Sequence, residues 1–85
     1  ANKPEVAARM LKRNKKLQQA GWYFEKAELW KDAALCYRRD KFFDKAGECF
    51  HKHGDMKSAC RMWKKSGTLE RHNIGKDTYK KIMKK

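Results

Sequence analysis

An alanine followed by a small residue recurs at one interval of 13: Ala7-Ala8, Ala20-Gly21, Ala33-Ala34, Ala46-Gly47 and Ala59-Cys60. Around four of these pairs the same frame holds. Three residues before the alanine stands a bulky apolar side chain, Leu17, Trp30, Phe43 or Met56, and four residues after it an aromatic, Phe24, Tyr37, Phe50 or Trp63. The first unit varies the frame with Pro4 and Leu11. A repeat held in register over residues 1–67 restricts the chain to an array of small, similar elements.

Within a unit the apolar positions fall at i, i+3, i+6 and i+7, as in Leu17, Ala20, Tyr23 and Phe24. A helix turning about 100° per residue collects them into one stripe. If the helix ran on unbroken, a step of 13 residues would rotate equivalent side chains by about 220°. It therefore has to break once per unit. Asn14, Asp40, Gly54-Asp55 and Gly67 stand where breaks are expected and suit helix ends or N-caps, whereas the boundary near Ala27-Glu28 carries no such signal. Five helices of about 10 residues joined by turns of about three have to lie as antiparallel neighbours. Pro4 is tolerated in a first turn, and the small pair lets neighbouring helices approach on two sides. The expected fold is all-α, an antiparallel short-helix α-solenoid of five or six helices. After Gly67 the register is lost: residues 68–76 carry no stripe, Gly75 is a breaker, and Asp77 is expected to cap a last helix with Tyr79, Ile82 and Met83 on one side. Residues 68–85 thus read as a basic segment capping the array of residues 1–67.

A chain of 85 residues makes one domain, burying about 60 to 65% of its unfolded surface. The core is thin and no deep cleft is expected. No apolar run reaches the roughly 18 residues of a membrane span, and no secretory signal precedes the first unit. The register begins almost at once after Ala1, so the sequence reads as a piece of a longer protein whose further repeats or domains adjoin it.

Three cysteines, an odd number, fit free thiols in a reducing, intracellular compartment, cytoplasmic or nuclear. Cys36 and Cys49 occupy a stripe position and Cys60 replaces a small residue, so core packing accounts for all three. The competing reading is zinc, with Cys49 and His53 one helical turn apart, His51 beside them, and Cys36, Cys60 or His72 completing the set. No paired C-x-x-C anchors it, and no cofactor is assigned. Catalytic signatures are missing as well: no Gly-rich phosphate loop, no G-x-S-x-G elbow and no H-E-x-x-H pair. Glu25, Asp32, Asp44 and Glu48 fall mostly outside the stripes, on faces expected to be solvated. Cys49 with His53 lacks a third, orienting residue. The chain is not expected to be an enzyme.

Charge is the remaining signal. With 23 basic and 10 acidic residues the net charge is +13, divided as +5 over residues 1–27, +4 over 28–67 and +4 over 68–85. One position is basic in every unit: Arg13, Lys26, Arg39, Lys52 and Lys65, six residues after the alanine. Alternating helix direction places Arg13, Arg39 and Lys65 along one edge and Lys26 with Lys52 along the other. Cations in a last helical turn are favoured by the dipole by about 0.3 to 1 kcal/mol each. That does not account for Lys12, Lys15, Lys16, Lys80, Lys81, Lys84 and Lys85, which extend the positive field over both ends and attract polyanions. Of the ten aromatics, most fall on the stripe; Trp22 does not, and beside Lys26 it is a candidate for stacking on a base or anchoring a peptide.

The stretch from Ala20 to Gly67, with four A-x-x-x-aromatic matches in register and Gly-Asp at a turn, resembles the tetratricopeptide-like helical-hairpin repeats. It is most similar to the short-helix version of vesicle-coat and intraflagellar-transport solenoids, and to the repeat regions of large helicase-like proteins carrying tetratricopeptide and ankyrin repeats. Two helices here take 26 residues where the standard repeat takes 34. No W-x-x-L-G-x-x-Y helix precedes Ala20, so no peptide-clamp residues carry over. The resemblance implies a scaffold: a non-catalytic module of a larger protein that binds a protein partner through the helical stack. The alternative is a module for RNA or another polyanion. The candidate contact residues are Arg13, Lys26, Arg39, Lys52, Lys65, Trp22, Lys80 and Lys81.

Overall fold

A computed structural model describes residues 3–84; Lys85, one of the C-terminal cations, lies outside them. The described chain is all-α. Helices run Pro4–Arg13 (α1), Leu17–Lys26 (α2), Trp30–Arg39 (α3), Phe43–His53 (α4) and Met56–Ser66 (α5); a 3-10 turn at Glu70–His72 then leads to Lys76–Met83 (α6). Each helix packs on the next in sequence, and the molecule extends over 46 × 22 × 20 Å.

The helix ends explain the spacing. Lys15, Glu28, Lys41, Gly54 and Gly67 all have left-handed backbones, with φ between 59° and 96°. Each lies eight residues after the unit alanine. In every case the next amide reaches back to the carbonyl of the unit's large apolar residue: Lys16 to Leu11, Leu29 to Phe24, Phe42 to Tyr37, Asp55 to Phe50 and Thr68 to Trp63, at 2.8 to 2.9 Å. This six-to-one bond with its companion five-to-two bond is the Schellman closure. At the third turn its apolar contact is visible, for Phe42 stacks on Tyr37 with centroids 6.3 Å apart. The boundary near Ala27-Glu28, unmarked in sequence, closes the same way with Glu28 at φ 59°. Asn14 and Asp40 do end helices, but the left-handed residue is the lysine after each.

Starts are less elaborate. Pro4 occupies the first turn of α1, where its missing amide costs nothing. Asp55 caps α5 by accepting from the Ser58 amide at 3.1 Å and from its hydroxyl at 2.7 Å. The expectation for Asp77 fails: Gly75 precedes α6, and Asp77 lies inside the first turn without capping it. There the carboxylate still sits at the positive end of the helix dipole.

The core is built on Ala20, Ala33, Ala46 and Ala59, all fully buried and flanked by Phe24, Tyr37, Phe50 and Trp63; in the first unit Ala7 is half-buried and the alanine after it, Ala8, is the fully buried one. The residue after the alanine has a specific task in two units. A Cβ on Gly21 would lie 2.8 Å from Cζ of Tyr37, and a Cβ on Gly47 would collide with the indole of Trp63. Helix α4 runs antiparallel to both α3 and α5. Trp63, late in α5, donates from Nε1 to the carbonyl of Asp44 in the first turn of α4, and Lys52, late in α4, covers Trp30 at the start of α3. Leu69, Tyr79, Ile82 and Met83 pack half-buried against the core.

Candidate functional site

Two surfaces carry the residues singled out from the sequence. The first is a shallow groove of about 380 Å³ between α1 and α3, lined by Arg9, Lys12, Arg13, Phe24, Asp32 and Arg39. Arg13 and Arg39 meet there because α1 and α3 flank α2 and point the same way, which brings their last turns side by side. Phe24 of α2, 2% exposed, forms the floor. Arg9 is held by Glu5 one helical turn earlier, at 2.6 Å. Among the described residues Lys12, Arg13 and Arg39 enter no ion pair, so Asp32 is the one acid facing four cations in the groove.

The second surface is the outer side of α2. Trp22 is 49% exposed. Tyr23 meets its ring edge-on at 4.9 Å and Lys26 Nζ lies 4.8 Å from its centroid. Trp22 and Phe24 are two residues apart and therefore about 200° apart around the helix. The indole and the basic groove lie on opposite faces of α2.

Two further basic positions are engaged within the fold. Lys52 Nζ sits 4.6 Å above the Trp30 ring and Lys65 Nζ 5.4 Å above Phe43. In both, the cation at the end of one helix covers the first residue of the helix before it, an attraction worth about 0.5 to 1 kcal/mol at an exposed site. Lys80 lines an apolar cavity of about 460 Å³ with Lys64, Leu69, Ile74 and Tyr79. Lys81 is exposed on α6.

No protein-family model, no curated protein and no solved structure matches the chain.

Two acids expected on solvated faces are structural. Glu25 accepts from the Tyr37 hydroxyl at 2.5 Å and from Lys45 at 3.4 Å. Burial and this bond push the Tyr37 pKa far up. Asp44 accepts from Thr68 at 3.0 Å, from Arg71 at 3.0 Å and pairs with His72 Nε2 at 2.9 Å. Burial alone would raise the Asp44 pKa, yet the bonds from His72 and Thr68 and the charges of His72 and Arg71 hold it below the ordinary carboxylate value. His72 also stacks on Trp63, with centroids 3.8 Å apart and planes 11° from parallel. The segment after Gly67 is thereby clamped to α4 and α5. Its partners stand 24 to 28 residues beyond Asp44, a separation at which no helical spacing could signal them.

The zinc set proposed from Cys49, His53, His51, Cys36, Cys60 and His72 is not assembled among the described residues. Cys36, Cys49 and Cys60 are free and buried, His72 is turned to Asp44, and His51 lies edge-on to Trp63 at 5.8 Å. Burial, followed by the charge of Glu25, pushes the Cys49 thiol up to about 12. In the protonated form that burial favours, the thiol is not nucleophilic. Among the described residues the metal-capable grouping is Asp44, Glu48 and His72, and Arg71 already pairs with Asp44 at 3.0 Å.

Proposed function

We propose that the chain is a tetratricopeptide-like array of short helices acting as a non-catalytic interaction module of a larger intracellular protein, binding a protein partner. The 13-residue sequence period, recurring in the left-handed residues at 15, 28, 41, 54 and 67, supports the repeat reading. The observation that carries the functional reading is Trp22. A tryptophan half in water and steadied by Tyr23 and Lys26 offers the large, rigid, amphipathic surface on which interface energy concentrates. Lys26 beside it supplies a polar rim.

The test is photo-cross-linking from position 22. A benzophenone amino acid placed there is expected to capture a discrete polypeptide in an extract, while the same group at exposed Arg61 captures none. A nuclease-sensitive adduct at 22 would turn the assignment to RNA, the second reading. That reading draws on the cations of the α1/α3 groove and on the lysines at both ends. Absence of any adduct removes Trp22 as a contact.

A further inference from the structure

We infer that the groove between α1 and α3 is a docking site for an acidic, extended segment of a protein partner, read by Arg9, Lys12, Arg13 and Arg39. The inference rests on the reading of the chain as a protein-binding module, and it uses a face of α2 opposite to Trp22.

Three features of the groove carry it. The first is charge without compensation. Four cations line one depression with Asp32 as their acid, and Arg9 alone among them is ion-paired, with Glu5. Arg13 and Arg39 belong to different helices and line one groove only because α1 and α3 both pack on α2. A bound anion would interact favourably with both. Helix dipoles favour Arg13 and Arg39 in their last turns, but they account neither for Arg9 nor for the convergence of the two helices on one depression.

The second feature is the layout. Arg9, Lys12 and Arg13 cover a helical turn of α1, with Arg39 across from them on α3. A single compact anion would reach only part of this set. An extended peptide carries alternate side chains on one face about 7 Å apart, which matches several carboxylates to cations spread along a groove. Guanidinium groups add directionality, since each can hold a carboxylate through two parallel hydrogen bonds.

The third feature separates a peptide from single-stranded nucleic acid. Binding of unpaired bases draws on exposed aromatic faces as well as on phosphate contacts. The aromatic in this groove, Phe24, is 2% exposed and offers no face. The exposed ring on the same helix, Trp22, points to the other side. The groove supplies carboxylate chemistry and lacks a stacking platform.

The experiment is a fluorescence-anisotropy titration of a labelled peptide of alternating Glu and Gly at near-physiological salt. Arg13→Glu with Arg39→Glu is compared with Lys80→Glu with Lys81→Glu, which changes the net charge equally. The groove pair is expected to weaken binding by about tenfold or more, and the α6 pair by about twofold or less, because a reversed charge within the contact repels while a distant one only lowers the general field. Circular dichroism confirms folding; if the reversal unfolds the domain, Arg13→Gln with Arg39→Gln takes its place and is expected to weaken binding in the same order. Equal weakening by both pairs would mean that the peptide follows net charge, and the proposal would be overturned. So would tighter, groove-dependent binding of a single-stranded RNA of matched charge. Failure of the peptide to bind removes the groove while a polypeptide cross-link from position 22 still stands, so the two readings fail separately.

Discussion

The indole of Trp63 occupies the space that a side chain at Gly47 would need. Tyr37 stands in the same relation to Gly21, 26 residues earlier, so at two helix pairs, α2 with α3 and α4 with α5, a glycine of the first receives the large aromatic of the second. Trp63 cannot retreat easily, because it is held on its other sides by the Asp44 carbonyl and by His72. Gly47→Ala is therefore expected to destabilise the fold by about 1 to 3 kcal/mol, as overpacking does, despite the better helix propensity of alanine. Gly21→Ala, which meets the outer end of the Tyr37 ring, is expected to cost less. Urea melts of both variants decide the matter; a wild-type midpoint for Gly47→Ala would show that the two helices do not meet as described.

Left-handed residues give a prediction of the opposite sign. Lys15, Glu28 and Lys41 hold a conformation that costs an ordinary L-residue about 1 to 2 kcal/mol, where Gly54 and Gly67 hold it freely. Lys41→Gly is expected to stabilise by about 1 kcal/mol and Gly54→Ala to destabilise by a similar amount. Thermal melts of the two single variants should move in opposite directions. Equal lowering by both would mean that the closing bonds do not set the turn geometry.

The helices were legible in the sequence and their closures only in part. Period and stripe place α1 to α5 because the same core has to be rebuilt every 13 residues. The turn at Glu28 was silent, since its Leu29 to Phe24 bond is made by backbone atoms and the left-handed site holds no glycine. Arg13 and Arg39 could be paired from their 26-residue separation, which returns the chain to a helix of the same direction. Arg9 and Lys12 could not, because their positions are not basic in every unit: Trp22, Leu35 and Glu48 stand at the first and Glu25 and His51 at the second. Asp44 was misjudged for a different reason. Its environment is created by Thr68, Arg71 and His72, which arrive only when the segment after Gly67 folds back.

That clamp sets a pH dependence. Asp44 has a folded pKa below its ordinary value, so its contribution to stability is fully present above the unfolded value of about 3.9 and is lost as pH falls through the lower, folded one. Asp55, depressed by its bonds from Ser58, acts in the same direction at the start of α5. The wild type is expected to lose stability steeply below about pH 4, while Asp44→Asn starts less stable at neutral pH and has a shallower acid slope. Denaturant melts across the acid range check this. Parallel slopes for the two proteins would show that Asp44 does not take part in the transition.

The thiols provide a probe of the core. Cys49, pushed up to about 12 by burial and by Glu25, and Cys36 and Cys60, raised chiefly by burial, should resist alkylation near neutral pH until the helices separate. Labelling by iodoacetamide is expected to be slow in buffer and rapid in denaturant, with all three residues following the same unfolding transition. Rapid native labelling of Cys49 would show that the α3/α4 packing opens on its own.

Lys52 and Lys65 bear on how much of the basic surface is available to a partner. If their main task is to cover Trp30 and Phe43, then Lys52→Gln should cost about 0.5 to 1 kcal/mol, and most of that cost should vanish when Trp30 is already leucine. A double-mutant cycle measures the coupling between the two positions. The same Lys52→Gln change should leave binding of the acidic peptide nearly unaltered, because the lysine lies outside the α1/α3 groove. Arg39, at the equivalent repeat position one helix earlier, should behave in the reverse way, with little effect on melting and a large effect on binding. A coupling near zero for Lys52 and Trp30, together with a loss of peptide affinity matching that of Arg39, would mean that the recurring cation works as one extended surface and that the groove has no separate standing.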